Sequence, residues 1–436
     1  MKARIWYPLA LLAVVLAACR GVPERELVPN LPPDTHLFVE GTVDTTGARQ
    51  RLCWYGNDPD GEVVGFYVAV DDTTARTFTT AHCSTFVFTS GQEPVFHTVY
   101  VWAQDNEGAL DPTPARLTIP VVNTPPTVAF LPGSLPPDTV FPVVTFYWEG
   151  HDEDGDETIE GYFWWLDTDA DSFAHFVSAE TTQVTLRDLP EGLRVFHVRA
   201  LDNAGALSAV RADTFVVKPV IGQVLLVDDE PGDTAGILYR GVLDSVGVAY
   251  SVWRVEAGLP YSPIDLNAVV NELGFTAILW YAGATAGHFT GAQGALATFL
   301  DRGGRLFVSN HRLVGATVTD FVRDYLHVAR PDSGALDKFL LPNWPLVGEV
   351  AGYPDTLQLS VPILSHITGF VPDTLSEGLY RFSDEVPWSP AFVSLRFPAG
   401  GPAQVVFLAF PLHKLNGNGR AAEVLVRVLQ EFGVVP

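Results

Sequence analysis

The sequence predicts a multidomain chain: two all-β sandwiches followed by an α/β domain with a doubly wound, mainly parallel sheet. A repeat with a period of about 95 residues fills the N-terminal half, and continuous apolar runs separated by helical segments follow Pro219. The length of 436 residues corresponds to roughly three domains. The expected segments are a signal peptide at 1–18, a linker at 19–33, sandwiches at 34–122 and 123–219, and the α/β domain at 220–436.

The first element is an export signal. Lys2 and Arg4 precede an apolar run that ends in small residues before Cys19, a pattern too short for a stable membrane-spanning helix. Leu16–Cys19 resembles the lipobox of bacterial lipoproteins, which implies cleavage before Cys19 and attachment to the membrane through acyl chains on that cysteine. Arg20 is not the aspartate that retains lipoproteins at the inner membrane, so the resemblance favours the outer membrane. The alternative is an ordinary signal peptide with a chance cysteine.

The charge of the chain excludes one class of partner. Cleavage after residue 18 removes two basic residues and no acidic one, so the formal net charge of −25 becomes two units more negative. Such a surface repels nucleic acid and anionic lipid headgroups. Because 47% of residues are hydrophobic and only 18% are charged, the chain is a packed globular protein, not a disordered stalk.

The N-terminal repeat has the pattern of a β-sandwich. In the first copy, Trp54 is followed by an acidic turn, an aromatic strand and residues 103–110, Ala-Gln-Asp-Asn-Glu-Gly-Ala-Leu. In the second copy, Trp148 is followed by the same order of features and by residues 200–207, Ala-Leu-Asp-Asn-Ala-Gly-Ala-Leu. The apolar residues of 195–200 alternate with polar ones, as a half-buried strand requires. Both copies resemble fibronectin type III and related immunoglobulin-like domains, which implies a tryptophan on strand B and the Asp-Asn pair at the end of strand F.

Three cysteines occur in the whole chain. If Cys19 carries lipid, Cys53 and Cys83 remain as an even pair in an oxidising compartment, where a disulfide is the default; two free buried thiols are the alternative. The fibronectin resemblance places Cys53 at the end of strand B and Cys83 at the start of strand E. These strands are antiparallel neighbours in that fold, so the resemblance implies a bridge in the first sandwich only.

Acidic turns in the second sandwich raise a calcium hypothesis, because alternating carboxylates supply the hard oxygen ligands that calcium prefers. Neither turn matches an EF-hand loop. The competing interpretation, which we favour, is that Asp and Gly form tight turns there. The calcium candidates are Asp152, Asp154, Asp156, Asp167, Asp169 and Asp171.

The C-terminal pattern predicts strands buried on both faces with helices between them. In such sheets ligands bind beyond the carboxyl ends of the strands. We therefore expect a ligand rim there, although any polar rim of this fold has the same composition. A box at Thr290–Gln293 predicts the start of one helix, and 330–402 is expected to be a β-containing insertion that could cap the ligand edge. The rim candidates are Asp228, Asp229, Tyr281, Asn310, His311 and His413.

Two resemblances compete for this domain. Residues 224–230, Val-Leu-Leu-Val-Asp-Asp-Glu, resemble the opening of a response-regulator receiver, but Tyr281 stands where a receiver needs its phosphorylated aspartate. Residues 278–283 and 303–311 resemble the class I glutamine amidotransferase-like superfamily, which has a flavodoxin-like strand order. That resemblance implies a nucleophilic cysteine at position 310. The residue there is Asn310, and no cysteine follows Cys83, so thiol catalysis is excluded.

Other chemistries remain open alternatives. Ser309 with His311 or His413 could act as a hydrolase pair, although the G-x-S-x-G setting is absent. Asp228, Asp229, His311 and His413 could bind a metal, although no pair has ligand spacing such as H-E-x-x-H.

The leading function hypothesis is a non-catalytic envelope lipoprotein with a sandwich stalk and a degenerate head for binding or assembly. Its partner would be an envelope protein or a glycan, and no cofactor other than calcium is expected. An extracytoplasmic hydrolase acting on glycan or peptide is the competing hypothesis, and a purely structural envelope protein is the third.

Overall fold

The structure is a computed structural model of the full chain, and it describes residues 29–39, 47–167, 174–230, 232, 234–255, 259, 262–283 and 288–436. The predicted signal peptide and Cys19 lie outside the described residues. No helix in these described ranges is long and apolar enough to cross a membrane.

The first sandwich packs a three-stranded sheet against a four-stranded one. Its strands are β1 Asp34–Val39, β2 Arg49–Asn57, β3 Val63–Val70, β4 Thr77–Thr79, β5 Cys83–Val87, β6 Val95–Asp105 and β7 Ala115–Val121. The sheet orders are β1-β2-β5 and β4-β3-β6-β7, with every pair antiparallel. Alternating residues of β6, Val99, Val101 and Ala103, are fully buried against Trp54. This arrangement confirms the all-β sandwich predicted for this segment.

The second sandwich repeats the same arrangement. Its strands are β8 Thr127–Phe130, β9 Thr139–Val140, β10 Val143–His151, β11 Ile159–Leu166, β12 His175–Ser178, β13 Gln183–Arg187, β14 Gly192–Asp202 and β15 Arg211–Val217, with a 3-10 turn at Asp156–Thr158. The sheet orders are β13-β10-β8 and β12-β11-β14-β15-β9. Trp148 on β10 is 1% exposed, as Trp54 is on β2. The repeated tryptophan therefore anchors both cores.

The disulfide predicted between Cys53 and Cys83 is present. Cys53 lies in the middle of β2, not at its end, and Cys83 begins β5; the two residues are directly opposite in the antiparallel register. The bridge therefore joins neighbouring strands of one sheet, close to the buried Trp54.

One hydrogen-bonded unit explains the conserved spacing of the repeat within this chain. Asp105 at the end of β6 accepts hydrogen bonds from the backbone N–H groups of Glu107 and Ala109, at 2.9 and 2.8 Å, and from Asn30 Nδ2 at 2.7 Å. In the second copy, Asp202 accepts from Ala204, Ala206 and Asn123 at 3.0, 2.8 and 2.7 Å. An asparagine ahead of each sandwich thus ties the chain entry to the turn after β6 in the first copy and after β14 in the second.

The C-terminal region contains a seven-stranded sheet in the order β17-β16-β18-β19-β29-β28-β26. The first five of these strands pair in parallel and the last two are antiparallel. The parallel strands are β16 Val224–Asp229, β17 Tyr250–Arg254, β18 Ala277–Ala282, β19 Arg305–Ser309 and β29 Val405–Leu408. The helices are α1 Thr234–Ser245, α2 Pro263–Asn271, α3 Phe289–Asp301, α4 Asp320–Asp324 and α5 Ala421–Glu431.

Apolar residues on both faces of the parallel strands account for this layering. Every residue of β16, β18 and β29 is buried. Two separate hydrophobic clusters cover the sheet, one with α1 and α5 and the other with α2 and α3. In α5, four residues at helical spacing, Val424, Leu425, Val428 and Leu429, are completely buried.

The segment predicted as a β-containing insertion forms short strands: β20 Val328–Pro331, β21 Lys338–Leu340, β22 Leu346–Gly348, β23 Thr356–Leu357, β24 Leu364–Ile367, β25 Phe370–Pro372, β26 Glu377–Gly378, β27 Tyr380–Phe382 and β28 Ser394–Phe397. Two of them, β26 and β28, extend the main sheet. A second 3-10 turn, Leu412–Lys414, follows β29.

The chain divides into two compact units. The first contains residues up to Pro126 together with His151–Ile159 and Asp202–Ala206, and the second contains the remainder. Within the second unit, Thr145 on β10 donates a hydrogen bond to Asp265 on α2 at 2.6 Å, and Phe141 packs edge-on against Phe275. The strand β10 and the region around α2 therefore share one core.

The disulfide generates a prediction about stability. Replacement of both Cys53 and Cys83 by alanine removes a covalent link across a sequence separation of 30 residues, so we expect the free energy of unfolding of the first unit to fall by about 2–4 kcal/mol. Denaturant unfolding of the exported chain would measure this. The wild type should lose stability on reduction whereas the double variant should not, and equal reductant sensitivity of the two proteins would contradict the prediction.

Candidate functional site

Polar residues at the carboxyl ends of three neighbouring strands form one row. In the parallel register Asp228 of β16 lies opposite Tyr281 of β18, and Tyr281 lies opposite Ser309 of β19. Asp228 and Tyr281 were expected to follow their strands. Asp228 instead lies within β16 and Tyr281 within β18, and each side chain is at most 4% exposed. We call this set, with Asp229, Glu230, Asn310 and His311, the sheet edge.

Asp229 accepts three local hydrogen bonds, which engage both of its carboxylate oxygens. Its Oδ2 accepts from Trp280 Nε1 at 3.1 Å and from the His288 backbone N–H at 2.9 Å, and its Oδ1 is 2.9 Å from His288 Nδ1. His288 is the residue immediately before α3. The carboxylate therefore holds the residue at which this helix starts.

Asp228 is a buried carboxylate with a nearby cation. Its Oδ2 lies 3.5 Å from Arg240 Nη1 on α1. Burial raises the pKa of Asp228 above its ordinary value, although the Tyr281 hydroxyl and the charge of Arg240 act in the opposite direction. Burial also raises the pKa of Tyr281, and the adjacent Asp228 carboxylate raises it further. Tyr281 therefore stays protonated at neutral pH.

The Ser309 hydroxyl is saturated. It donates to the Phe410 carbonyl at 3.0 Å and accepts from the Leu412 backbone N–H at 2.8 Å and from the Tyr239 hydroxyl at 3.1 Å. A serine hydroxyl has one donor and two acceptor sites, and all three are used. Tyr239 also stacks on Tyr281 with 4.0 Å between ring centroids. Ser309 therefore serves as a structural junction in this conformation, and its oxygen is not poised for nucleophilic attack.

Glu230, His413 and Lys414 form an ionic group beside the row. Glu230 Oε2 is 3.1 Å from His413 Nε2, and Oε1 is 3.6 Å from Lys414 Nζ. Burial alone would raise the pKa of Glu230, but the hydrogen bond and charge of His413, with Lys414, outweigh it and hold the pKa below its ordinary value. A Cβ at Gly283 would lie 2.5 Å from the Glu230 carboxyl group, so a side chain at this position would displace that group.

His311 and Asn310 are buried behind this group. The Asn310 backbone N–H donates to the Leu408 carbonyl at 3.1 Å, and its side chain is completely buried. His311 is 1% exposed. Burial, together with the positive charges of Arg312, Lys414 and His366, lowers its pKa to about 4. At neutral pH His311 is therefore an uncharged ring with a hydrogen bond to the Gly283 backbone.

Two depressions open beside the sheet edge. One, of about 620 Å³, has an apolar wall that includes Ile237 and Val361 and is bordered by Glu230, His413 and Lys414. The other, of about 260 Å³, is lined by His311, Arg312 and Lys414 with residues of the insertion. Among the predicted rim residues, Asp228, Asp229, Tyr281 and Asn310 line neither depression. The predicted rim is thus divided into four residues that line neither depression and two, His311 and His413, that each border one.

Glu230, Tyr239 and Lys414 belong to this region of the structure but not to the rim predicted from the sequence. Glu230 directly follows the two selected aspartates, and Lys414 directly follows the selected His413, so adjacency was the available signal. Tyr239 lies on the inward face of α1 and is completely buried. Its role depends on contacts with Ser309 and Tyr281, which are distant in sequence, and no local pattern marks it.

Three of the calcium candidates that the structure describes accept hydrogen bonds from other groups of the protein. Asp154 accepts hydrogen bonds from the Ala48 and Thr124 backbone N–H groups, and Asp156 accepts from His151 Nδ1 at 2.8 Å. Asp167 accepts from Arg194 Nη1 and the Val195 N–H at 3.0 and 3.1 Å. Asp169 and Asp171 lie outside the described residues.

Asp152 differs from the other candidates. It is 2% exposed, and its Oδ2 has no hydrogen-bond partner within the described part of the chain. Burial raises its pKa, and the charges of Asp154 and Asp202 add to this effect. The described residues nevertheless contain no group of three His, Cys, Asp or Glu side chains arranged to hold a metal. Calcium binding stays a prediction.

Solved structures that are similar to this chain include β-sandwich modules. No protein-family model matches the sequence, and no curated protein matches it. Fibronectin(III)-like modules of Clostridium thermocellum CbhA are 15% identical over 42% of this chain and 94% of theirs, with a TM-score of 0.20. A two-domain fibronectin type III segment of chicken tenascin is 10% identical over 43% and 100%, with a TM-score of 0.23. The PKD1 domain of Vibrio anguillarum Epp is 19% identical over 22% and 98%, with a TM-score of 0.17.

The Ser309 junction predicts a graded loss of stability. Ser309→Ala leaves the Leu412 N–H, the Tyr239 hydroxyl and the Phe410 carbonyl without this partner, so we expect the free energy of unfolding to fall by at least about 2 kcal/mol. Tyr239→Phe removes one hydrogen bond and should cost about 1 kcal/mol. Tyr250→Phe is the control, because its hydroxyl bonds to Asp244 at the surface, and should cost less than about 0.5 kcal/mol. Equal effects of all three substitutions would refute the junction.

Asp228 predicts a pH-dependent difference in stability. Because burial raises its folded-state pKa above the ordinary value of 3.8, the stability it contributes is complete below pH 3.8 and is lost as pH rises through the folded-state pKa. Asp228→Asn removes this titration. We therefore expect the wild type to lose stability relative to the variant as pH rises from about 3.5 to 7, measured by denaturant unfolding at each pH. A difference independent of pH would contradict the assignment.

Proposed function

We propose that the chain is a non-catalytic cell-envelope lipoprotein, in which the two sandwiches form a stalk and the C-terminal domain is a degenerate amidotransferase-like head for binding or assembly. The lipobox-like residues 16–19 support the anchor. The parallel order β17-β16-β18-β19-β29 supports the flavodoxin-like assignment of the head, because it corresponds to sequence order 2-1-3-4-5.

The saturated hydroxyl of Ser309 carries the non-catalytic part of the proposal. Position 310, where the resemblance implies a cysteine nucleophile, holds a buried asparagine. The hydroxyl of the neighbouring Ser309 donates to one backbone carbonyl and accepts from one backbone N–H and from Tyr239. A nucleophile needs a base within hydrogen-bond reach. The hydroxyl of Ser309 instead bonds to a carbonyl, so the competing hypothesis of a hydrolase acting on glycan or peptide has no prepared nucleophile at this strand end.

Two accessible depressions beside a closed polar row fit recognition better than chemistry. Binding sites are concave and combine apolar walls with a few placed polar groups. The depression beside Glu230 and His413 has this character, since Ile237 and Val361 provide apolar surface next to an ionic group. The proposed partner is an envelope protein or a glycan.

The anchor is tested by substitution of the lipidated residue. Cys19→Ser should abolish incorporation of labelled palmitate and move the protein from the membrane fraction to the soluble envelope fraction, because thioether-linked lipid cannot form on serine. The Cys53→Ala/Cys83→Ala double variant is the matched control, since it removes two cysteines and leaves Cys19. It should retain label and membrane association. Label retained by Cys19→Ser would refute the anchor.

The same preparations test the absence of catalysis. We expect the purified mature protein to show no peptidase, amidase or glycosidase activity above background in broad substrate screens, and affinity capture from the native envelope to recover a partner. Hydrolysis that disappears in Ser309→Ala but persists in Tyr250→Phe would establish the competing hypothesis.

A further inference from the structure

One side of the first sandwich contains a groove between the edges of its two sheets. The sheet β1-β2-β5 has three strands and the sheet β4-β3-β6-β7 has four, so β5 and β4 are edge strands. Both line a groove of about 580 Å³, to which β5 contributes Ser84 and Phe86 and β4 contributes Thr77 and Thr79. The groove therefore lies where the narrower sheet ends beside the wider one.

The inner face of β4 is not covered by the opposite sheet. Thr77 and Thr79 lie directly opposite Val68 and Phe66 of β3, and residues in such pairs share one face of a sheet. Val68 and Phe66 are buried in the core, whereas Thr77 is exposed and Thr79 is half-buried. Inner positions of a sandwich normally pack against the other sheet. The groove is therefore a gap in the layer that faces β4.

The outer edge of β5 presents backbone groups for pairing. Trp54 N–H donates to the His82 carbonyl at 2.8 Å, which identifies one hydrogen-bonded pair between β2 and the start of β5. Bonded and non-bonded pairs alternate along an antiparallel ladder. Cys83, Thr85 and Val87 occupy the non-bonded pairs with β2, so their N–H and C=O groups point away from that strand. Within the described ranges, β5 pairs with no strand other than β2.

Charge and composition limit what can occupy this edge. The groove is lined by apolar and hydroxyl side chains only, and β5 reads Cys-Ser-Thr-Phe-Val. Edge strands usually carry charged residues or proline, which oppose pairing with another chain, and β5 has neither. Asp72 is exposed in the turn between Val70 and Ala75, two residues that line the groove. Charge complementarity therefore favours an uncharged extended segment with a basic residue at one end.

We propose that the first sandwich binds an extended segment of a partner protein, which adds to the outer edge of β5 as a fourth strand. The segment's backbone bonds to Cys83, Thr85 and Val87, and its alternate apolar side chains enter the groove. A basic residue beside the paired segment lies near Asp72. The volume is within the roughly 300–1,000 Å³ of typical binding pockets, which is enough for several aliphatic side chains. The proposed function gives this sandwich only a spacer role, and the inference goes beyond it.

Selection of random displayed peptides on the immobilised mature protein tests the proposal. We expect the enriched peptides to alternate apolar and polar residues, to lack proline within that segment and to carry Lys or Arg at one end. Enrichment of peptides without this alternation, or no enrichment over a blank surface, would overturn the proposal.

The best enriched peptide then tests strand pairing by calorimetric titration. Only alternate amides of an added strand face β5. N-methylation of that set should weaken binding at least tenfold, whereas N-methylation of the intervening set, which faces away, should weaken it much less. Equal effects of the two modifications would contradict pairing with the edge.

Substitutions locate the site. Ser84→Arg and Thr77→Arg each place a long charged side chain in the groove from an exposed position, and each should weaken peptide binding at least tenfold. Thr118→Arg is the matched control, because Thr118 is exposed on β7 and does not line the groove. It should leave the affinity within about twofold. Unchanged affinity in both groove variants, with thermal unfolding within a few degrees of the wild type, would refute the proposal.

A second copy of the chain is the other possible occupant of such an edge, and sedimentation of the mature protein distinguishes it. We expect a monomer. A dimer that Ser84→Arg converts to monomers would show that β5 pairs with a second copy, and the partner segment would be wrong. Attachment through Cys19 does not involve this edge, so failure of peptide binding would leave the lipoprotein proposal unaffected.

Discussion

The C-terminal domain depends on how the polar end of a dry sheet is satisfied. Strands β16, β18 and β29 are buried along their whole length, so polar groups at their carboxyl ends have little water to bond with, and each unpaired one would cost free energy. Ser309 meets this constraint by joining β19 to the segment after β29 and to α1. Tyr239 also stacks on Tyr281, which lies opposite Asp228 in the strand register, so packing continues the row across the sheet beyond the hydrogen bonds of Ser309.

The N-terminal half solves a related problem twice. Each sandwich must fix the point where the chain enters and the turn that follows β6 or β14. In both copies one aspartate accepts hydrogen bonds from the N–H groups of that turn and from an asparagine that precedes the first strand. The Asp-Asn-x-Gly motif is therefore a turn-stabilising unit. This accounts for its strict spacing without a ligand, since the carboxylates of Asp105 and Asp202 are already used.

Sequence patterns predicted what depends on local chemistry. The repeated tryptophans, the Cys53–Cys83 pair and the apolar face of α5 all follow from periodicity or from residue type. The start of α3 shows the limit: a box at Thr290 predicted its first turn, but the helix begins at Phe289 and no side chain of the preceding residue caps it. Asp229, sixty residues earlier in the chain, holds His288 instead. Such a contact is determined by strand packing, and no window of sequence contains both partners.

The candidate site also combines residues that local sequence reveals with residues that only the fold brings together. Binding is therefore expected beside the strand ends and not at the aspartates themselves. The aspartates at the sheet end are conspicuous in sequence, yet Asp229 accepts three local hydrogen bonds and Asp228 is buried beside Arg240. Residues that remain accessible, including Arg312 and Lys414, come from turns and meet only because the insertion folds beside the sheet. Basic side chains that lie this close together repel one another. Two carboxylates offset this repulsion, because Glu230 lies beside Lys414 and Asp337 lies beside His366. These carboxylates leave Arg312 as the exposed basic residue of this depression that forms no ion pair with the described residues.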